Sequence, residues 1–190
     1  MRLNDLLAEK KTSILEKWFD LIIESYPPDT AKFLKDKQNR FTNPVGATIS
    51  KGISDIFDAL LNGSDSVDVN EFLDNVIRIR AVQDFSPSQA LSFMFLLKKV
   101  IRGELNAALS ENALAGEMSA LESRIDELSL SAFDIYMKCR EKLYEIRANE
   151  VKSMTFRLLQ RANLICELQD DEKELMVSNN INIKRGEVKK

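Results

Sequence analysis

The side chains of this sequence that could do chemistry are few, and they gather in one place. Arg78, Arg80, Gln83 and Asp84 follow one another at the end of an apolar-periodic stretch, just ahead of Ser86-Pro87-Ser88-Gln89. Two guanidinium groups, an amide and a carboxylate beside the free backbone amides of a new helix could hold a small anion or form an interaction corner. The same groups read more simply as a salt-bridge and turn network that fixes a helix crossing angle. Both readings are open to the sequence. Two further charged groups need weighing. Lys98, Lys99 and Arg102 could face an acidic partner or a membrane surface, and Glu122, Asp126 and Glu127 could be imagined as paired acids. A solvated helix face explains the first, and ion pairing with neighbours such as Arg124 and Lys138 explains the second, without a pocket.

What is missing narrows the chemistry further. The chain contains no histidine, which excludes proximal-histidine haem ligation, histidine general-base catalysis and phosphohistidine transfer. No serine has a credible base. Gly46, Gly52 and Gly63 have neither the spacing nor the strand context of a nucleotide-binding loop. Cys139 and Cys166 would stand about 40 Å apart along one straight helix at 1.5 Å per residue, so they cannot bridge within it. They read as small apolar packing residues in a reducing compartment, with a redox-sensing thiol as the alternative. Two distant cysteines with carboxylates are a poor match to a structural zinc site. We therefore expect no catalytic residue, no cofactor and no metal.

Composition bounds the class. A formal net charge of -3 over 190 residues gives no basic excess to neutralise phosphates, which argues against a nucleic-acid partner. No secretory h-region opens the chain, and no window approaches the roughly 20 apolar residues of a membrane span. The expectation is a cytoplasmic protein. With 44% hydrophobic and 30% charged residues, it can bury a core and stay dissolved.

Stepping along the chain, apolar residues at three- and four-residue spacing predict an all-α protein, a helical bundle with one very long C-terminal helix or helical hairpin. Leu3, Leu7, Ile14, Trp18, Leu21 and Ile22 make a first helix that Pro27-Pro28 ends near Tyr26. A short turn of helix is expected over Asp29–Lys35. Asn43-Pro44 starts another, carrying Ile49, Ile53, Ile56, Phe57 and Leu60, and Asn62-Gly63 closes it. After a polar loop from Ser64 to Asp68, a helix spans roughly Val69 to Val82. Ser86, Pro87 and Gln89 form a capping box, and the helix behind it is apolar nearly all round in its first half, as befits a central element.

Between Gly116 and Gly186 there is neither glycine nor proline. Leu121, Ile125, Leu128, Ala132, Ile135 and Cys139 fit one heptad seam. Val151, Met154, Leu158, Ile165 and Leu168 fit a second whose phase is offset, which implies a bend, a stutter or a change of packing partner near Leu143 to Asn149. These seams could pack on the bundle or form a dimeric coiled coil with a protein partner, a second copy included. The expected organisation is a sensor-like bundle over residues 1–111, a long helical or coiled-coil extension over 112–178 and a tail over 179–190.

Phe41-Thr42-Asn43-Pro44-Val45-Gly46 and Ile79-Arg80-Ala81-Val82-Gln83-Asp84-Phe85-Ser86-Pro87-Ser88-Gln89-Ala90, followed by Lys98, Ile101-Arg102 and Glu104-Leu105, resemble the N-terminal domain of the RsbT co-antagonist proteins. The likeness covers approximately Leu6 to Leu109. It implies an all-helical input domain of bacterial stress signalling, with the non-haem globin-like sensors as a candidate architecture. The full-length pattern continues into a C-terminal STAS domain, for which the sequence after the long helix leaves no room. The resemblance therefore implies a regulatory input module that works by protein–protein contact through its long helix. A non-sensing adaptor in a larger, membrane-associated redox complex is the alternative.

Overall fold

In a computed structural model, the structure describes residues 2–35, 43–63, 66–83, 85–106 and 114–162. Every regular element among them is an α-helix: α1 (Leu3–Glu9), α2 (Lys11–Glu24), α3 (Pro28–Lys35), α4 (Pro44–Asn62), α5 (Ser66–Val82), α6 (Pro87–Glu104) and α7 (Ala115–Arg161). The chain divides into two compact units, Met1–Tyr144 and Glu145–Lys190.

The single helix expected from Leu3 to Tyr26 is two. Lys10 is at once the C-cap of α1 and the N-cap of α2, at φ -92° and ψ 4°. The reason lies in the apolar pattern, which skips a turn between Leu7 and Ile14 where Lys10 and Lys11 stand. A break there lets Leu3, Leu6 and Leu7 point into the core independently of Ile14, Trp18, Phe19, Ile22 and Ile23. The lysines at the break find acids instead of water alone. Lys11 Nζ donates to both oxygens of Asp58 on α4, at 2.6 and 2.7 Å, and Lys10 Nζ lies 3.9 Å from Glu104 at the end of α6, an acid that Lys17 of α2 also pairs with.

Helix starts follow the sequence closely. Asn43 Oδ1 accepts the Gly46 amide at 2.9 Å, while its Nδ2 donates to the Leu34 carbonyl of α3 at 2.9 Å, so one buried side chain both caps α4 and ties it to α3. Gly46 is required by this arrangement: a Cβ there would lie 2.7 Å from the Leu34 carbonyl oxygen. At the other end Gly63 takes the left-handed conformation, φ 67°, that ends α4. The helix expected from Val69 begins earlier, at Ser66. Ser86 Oγ accepts the Gln89 amide and Gln89 Oε1 accepts the Ser86 amide, completing the box in front of α6.

The core of the first unit is built on α2 packed against α6 and on the antiparallel pair α4 and α5. Trp18 is fully buried, and its Nε1 donates to the Phe93 carbonyl at 2.7 Å while the two rings stack at 6.1 Å. An indole N–H left unpaired in such a core would be costly, so this bond fixes the height of α2 against α6. As the central helix, α6 buries Phe93, Met94, Leu97 and Ile101, although Phe95 turns to solvent.

The long element is one helix through Arg161, unbroken across the interval from Leu143 to Asn149 where a bend was one of the expectations. In the first unit it buries Met118, Leu121, Ile125, Ala132 and Tyr136 against the bundle. Its acids meet the bases of α6. Arg102 holds Glu122 with two bonds of 2.5 and 2.7 Å, and Lys98 Nζ reaches Asp126 at 2.6 Å. The cationic cluster and the acid cluster noted in the sequence are thus largely the two halves of one helix–helix contact. At the start of the chain, Glu117 accepts the Leu3 amide at 2.8 Å, tying α7 to α1.

Removing the cap of the central helix tests this account. Ser86→Ala should lower stability by about 1 kcal/mol and Tm by about 2–4 °C in urea and thermal unfolding, whereas Ser86→Asp should restore most of the loss.

Candidate functional site

Arg80 lies on the last turns of α5 in the row Leu73, Val76, Ile77, Ala81, all fully buried. An arginine in that row is driven into the core by helical periodicity alone, and its exposure is 0%. What it meets there comes from two other helix ends. Ser25, the C-cap of α2, and Tyr26 reach it from one side because Pro27-Pro28 ends α2 at that level. Phe85 and Gln89 reach it from the other, at the beginning of α6.

The geometry is specific. Arg80 Nη2 donates to Ser25 Oγ at 3.0 Å and to the Gln89 carbonyl at 2.9 Å. Ser25 in turn donates its hydroxyl to the Ile22 carbonyl at 2.6 Å, which leaves its oxygen facing Arg80 as an acceptor. The guanidinium carbon sits 4.4 Å from the centroid of Phe85 and 5.4 Å from that of Tyr26, and these rings meet edge to face at 5.0 Å. Aromatic faces offset part of the lost hydration of a buried cation. They do not satisfy its donors: Arg80 Nε, Arg80 Nη1 and the Tyr26 hydroxyl have no hydrogen-bond partner among the described residues.

The electrostatics follow from burial. Burial holds the Arg80 guanidinium below the usual arginine range, with the Tyr26 oxygen acting in the opposite direction. Burial likewise pushes the Tyr26 phenol up, and the nearby Arg80 charge draws it back only in part.

The other residues singled out in the sequence fall elsewhere. Arg78 is exposed on the opposite side of α5 and pairs with Asp74, Nε to Oδ2 at 2.5 Å, along a polar groove of about 550 Å³ that also includes Asp134, Lys138 and Cys139. Cys139 is half-buried, and burial raises its thiol pKa, so it is held as the thiol. Gln83 is exposed beside Tyr26. Asp84 and Cys166 lie outside the described residues. The structure therefore separates Arg78 from Arg80 and brings to Arg80, besides Gln89 at the helix start already noted, three residues that sequence reasoning did not place in the site: Ser25, Tyr26 and Phe85. The signal was present, since Arg80 occupies a core position of an apolar row, but its partners come from just past the end of α2 and from around the start of α6.

The candidate partner residues divide by unit. Leu121 and Ile125 are buried in the first unit, and Leu128 and Ile135 pack partly buried against the same core. In the second unit Val151, Met154 and Leu158 are 63–65% exposed, and Phe156 is open as well. Ile165 lies outside the described residues. Among the described residues no group of histidine, cysteine or acidic side chains is placed to hold a metal ion, and no helix is long and apolar enough to cross a membrane.

A titration tests the Arg80 corner. Because burial raises the Tyr26 phenol, folding stabilises its neutral form. That contribution is present below the ordinary tyrosine pKa near 10 and is lost as pH rises above it. Tyr26→Phe should therefore remove one phenol that ionises late in the 295 nm absorbance titration, and should flatten the fall of stability with pH in that alkaline window.

Comparison with known proteins places the chain. The family model described as the RsbT co-antagonist protein rsbRD N-terminal domain matches residues 12–151. A protein of Archaeoglobus fulgidus described as uncharacterized is 25% identical over 145 residues, covering 74% of this chain and 83% of its own. No solved structure matches.

Proposed function

The chain belongs to the RsbT co-antagonist protein rsbRD N-terminal domain family, and from that premise we propose that it is a cytoplasmic input module of stress-type signalling that acts by protein–protein contact rather than catalysis. The family itself points to a stress-signalling input module. The finer claim concerns how the module communicates. The observation that carries it is the last part of α7, where Ile146, Val151, Met154, Phe156, Leu158 and Leu159 are 38–65% exposed.

A helix segment of this length is marginal in water on its own and gains most of its stability from packing an apolar face. Tyr144, Val151 and Leu158 are spaced at the seven-residue interval that a helix keeps when it winds about a partner helix. The partner proposed is a second copy, which has a helix of equal length and the same spacing. Signalling would then be a change in how two such helices meet, biased by what the bundle senses. The want of histidine, of a nucleotide loop and of a metal cluster among the described residues supports a binding role.

The alternative keeps the same exposed residues and gives them a different occupant, a subunit of a larger assembly for which this chain is an adaptor. Multi-angle scattering on the purified chain separates the two. We expect a dimer at micromolar concentration that Val151→Glu with Leu158→Glu converts to monomer, with the near-UV signal of Trp18 unchanged. A monomer at all concentrations would overturn the dimer, and a stoichiometric foreign subunit retained through purification would favour the adaptor.

A further inference from the structure

We propose that the corner formed by Ser25, Tyr26, Phe85 and Gln89 is a binding site for a small monocarboxylate with an apolar body, for which Arg80 supplies the charge. The starting point is a cation with 0% exposure that faces no acidic side chain among the described residues. A buried charge without a counter-charge is a strong destabilising element, and proteins retain one where something compensates it. Here the compensation is incomplete. Two neutral oxygens take Nη2, two rings cover the face with the Tyr26 oxygen on the Arg80 side, and Nε and Nη1 remain as buried donors without a partner among the described residues.

The unsatisfied group adjoins a place for a ligand. A pocket of about 670 Å³ is walled by Ser25, Tyr26, Pro27, Val82, Phe85 and Gln89. Tyr26 and Phe85 belong to both: the rings that line the pocket are the rings that cover the guanidinium. Phe85 is half-buried and sits on the irregular residues between α5 and α6, outside any helix. Binding as proposed requires that ring to swing aside so that the pocket meets the free N–H groups of Arg80.

Charge and lining define the ligand class. None of the described wall residues is ionised at neutral pH, so among the described residues the site has one positive charge, that of Arg80. One carboxylate balances it, whereas a phosphate dianion would bury an excess negative charge. The Tyr26 hydroxyl can donate to the second carboxylate oxygen. Pro27, the exposed Val82 and the Phe85 ring then offer apolar surface to the remainder of the molecule, the usual division of labour in a small-molecule pocket. This site is independent of what covers the end of α7.

Thermal shift and calorimetry on the full chain test the proposal with sodium benzoate as probe, benzamide as its neutral counterpart, sodium phosphate as the dianion, and sodium chloride at matched ionic strength. Benzoate at ten times its dissociation constant should raise Tm by about 3–6 °C, and benzamide and chloride should not. Val82→Glu, an exposed substitution at the pocket wall that leaves Arg80 in place, should weaken benzoate by about fivefold or more through like-charge repulsion. Arg80→Met should abolish the shift if it folds, and Val82→Glu decides the matter if it does not. Benzamide or phosphate equalling benzoate would overturn the monocarboxylate assignment. The absence of any benzoate shift would overturn the site, and a loss of stability in Asp84→Asn alongside it would identify the counter-ion as internal.

Discussion

The structure turns on a guanidinium taken wholly out of water. Arg80, on the last turns of α5, stands where the end of α2 and the start of α6 converge, and its burial is made tolerable by Ser25 and Tyr26 just past the first, the Gln89 carbonyl of the second and Phe85 between α5 and α6. Removing a cation from solvent is expensive enough that its surroundings cannot be loose. The positions of those three helix ends are therefore coupled. Local features hold them to that geometry, with Pro27-Pro28 ending α2 at the required level and the capping box of Ser86 and Gln89 starting α6 there. Gln89 serves both purposes, its side chain in the box and its carbonyl on Arg80.

From this corner the packing proceeds outward through α6. Its buried face meets α2, where the Trp18 indole bonds to the Phe93 carbonyl. Its basic side, Lys98 and Arg102, meets the acids Asp126 and Glu122 of α7. Exposed pairs of this kind contribute little stability one by one. Their use here is registry, since a bidentate arginine–carboxylate contact permits one longitudinal placement of a long helix against its neighbour. Tyr136, whose hydroxyl donates to the Phe85 carbonyl at 2.7 Å, extends that registry back to the Arg80 corner. A change at Phe85 is thereby felt by a residue of α7, which gives a physical route between the pocket and the long helix within the first unit.

How much of this was legible beforehand depended on whether the information was local. Helix identity, the Asn43 and Ser86 starts, the Gly63 exit and the apolar faces are written in neighbouring residues, because capping bonds and 3.6-residue periodicity act over a few positions. The break at Lys10 was missed because a skipped turn and a continuous helix look alike until the core they must both enter is known. The parting of Arg78 from Arg80 is hard to see in the sequence for a related reason. Residues two positions apart on a helix face opposite sides, so neighbours in sequence need not be neighbours in space.

By itself, then, the sequence determined an all-helical chain without histidine chemistry, the ends of most helices, and membership in a family of signalling input domains. Only the tertiary structure decided that the lone arginine of an apolar row would be caged by Tyr26 and Phe85 with its Nε and Nη1 unpartnered, and that Glu122 and Asp126 of α7 would pair with Arg102 and Lys98 of α6. It also divided the two heptad seams, placing Leu121 and Ile125 in the core while Val151 and Leu158 stay exposed. The physical reason is the same in each case. Capping and periodicity are short-range, whereas the burial of a charge or an apolar face is settled by residues that meet only after the helices have packed.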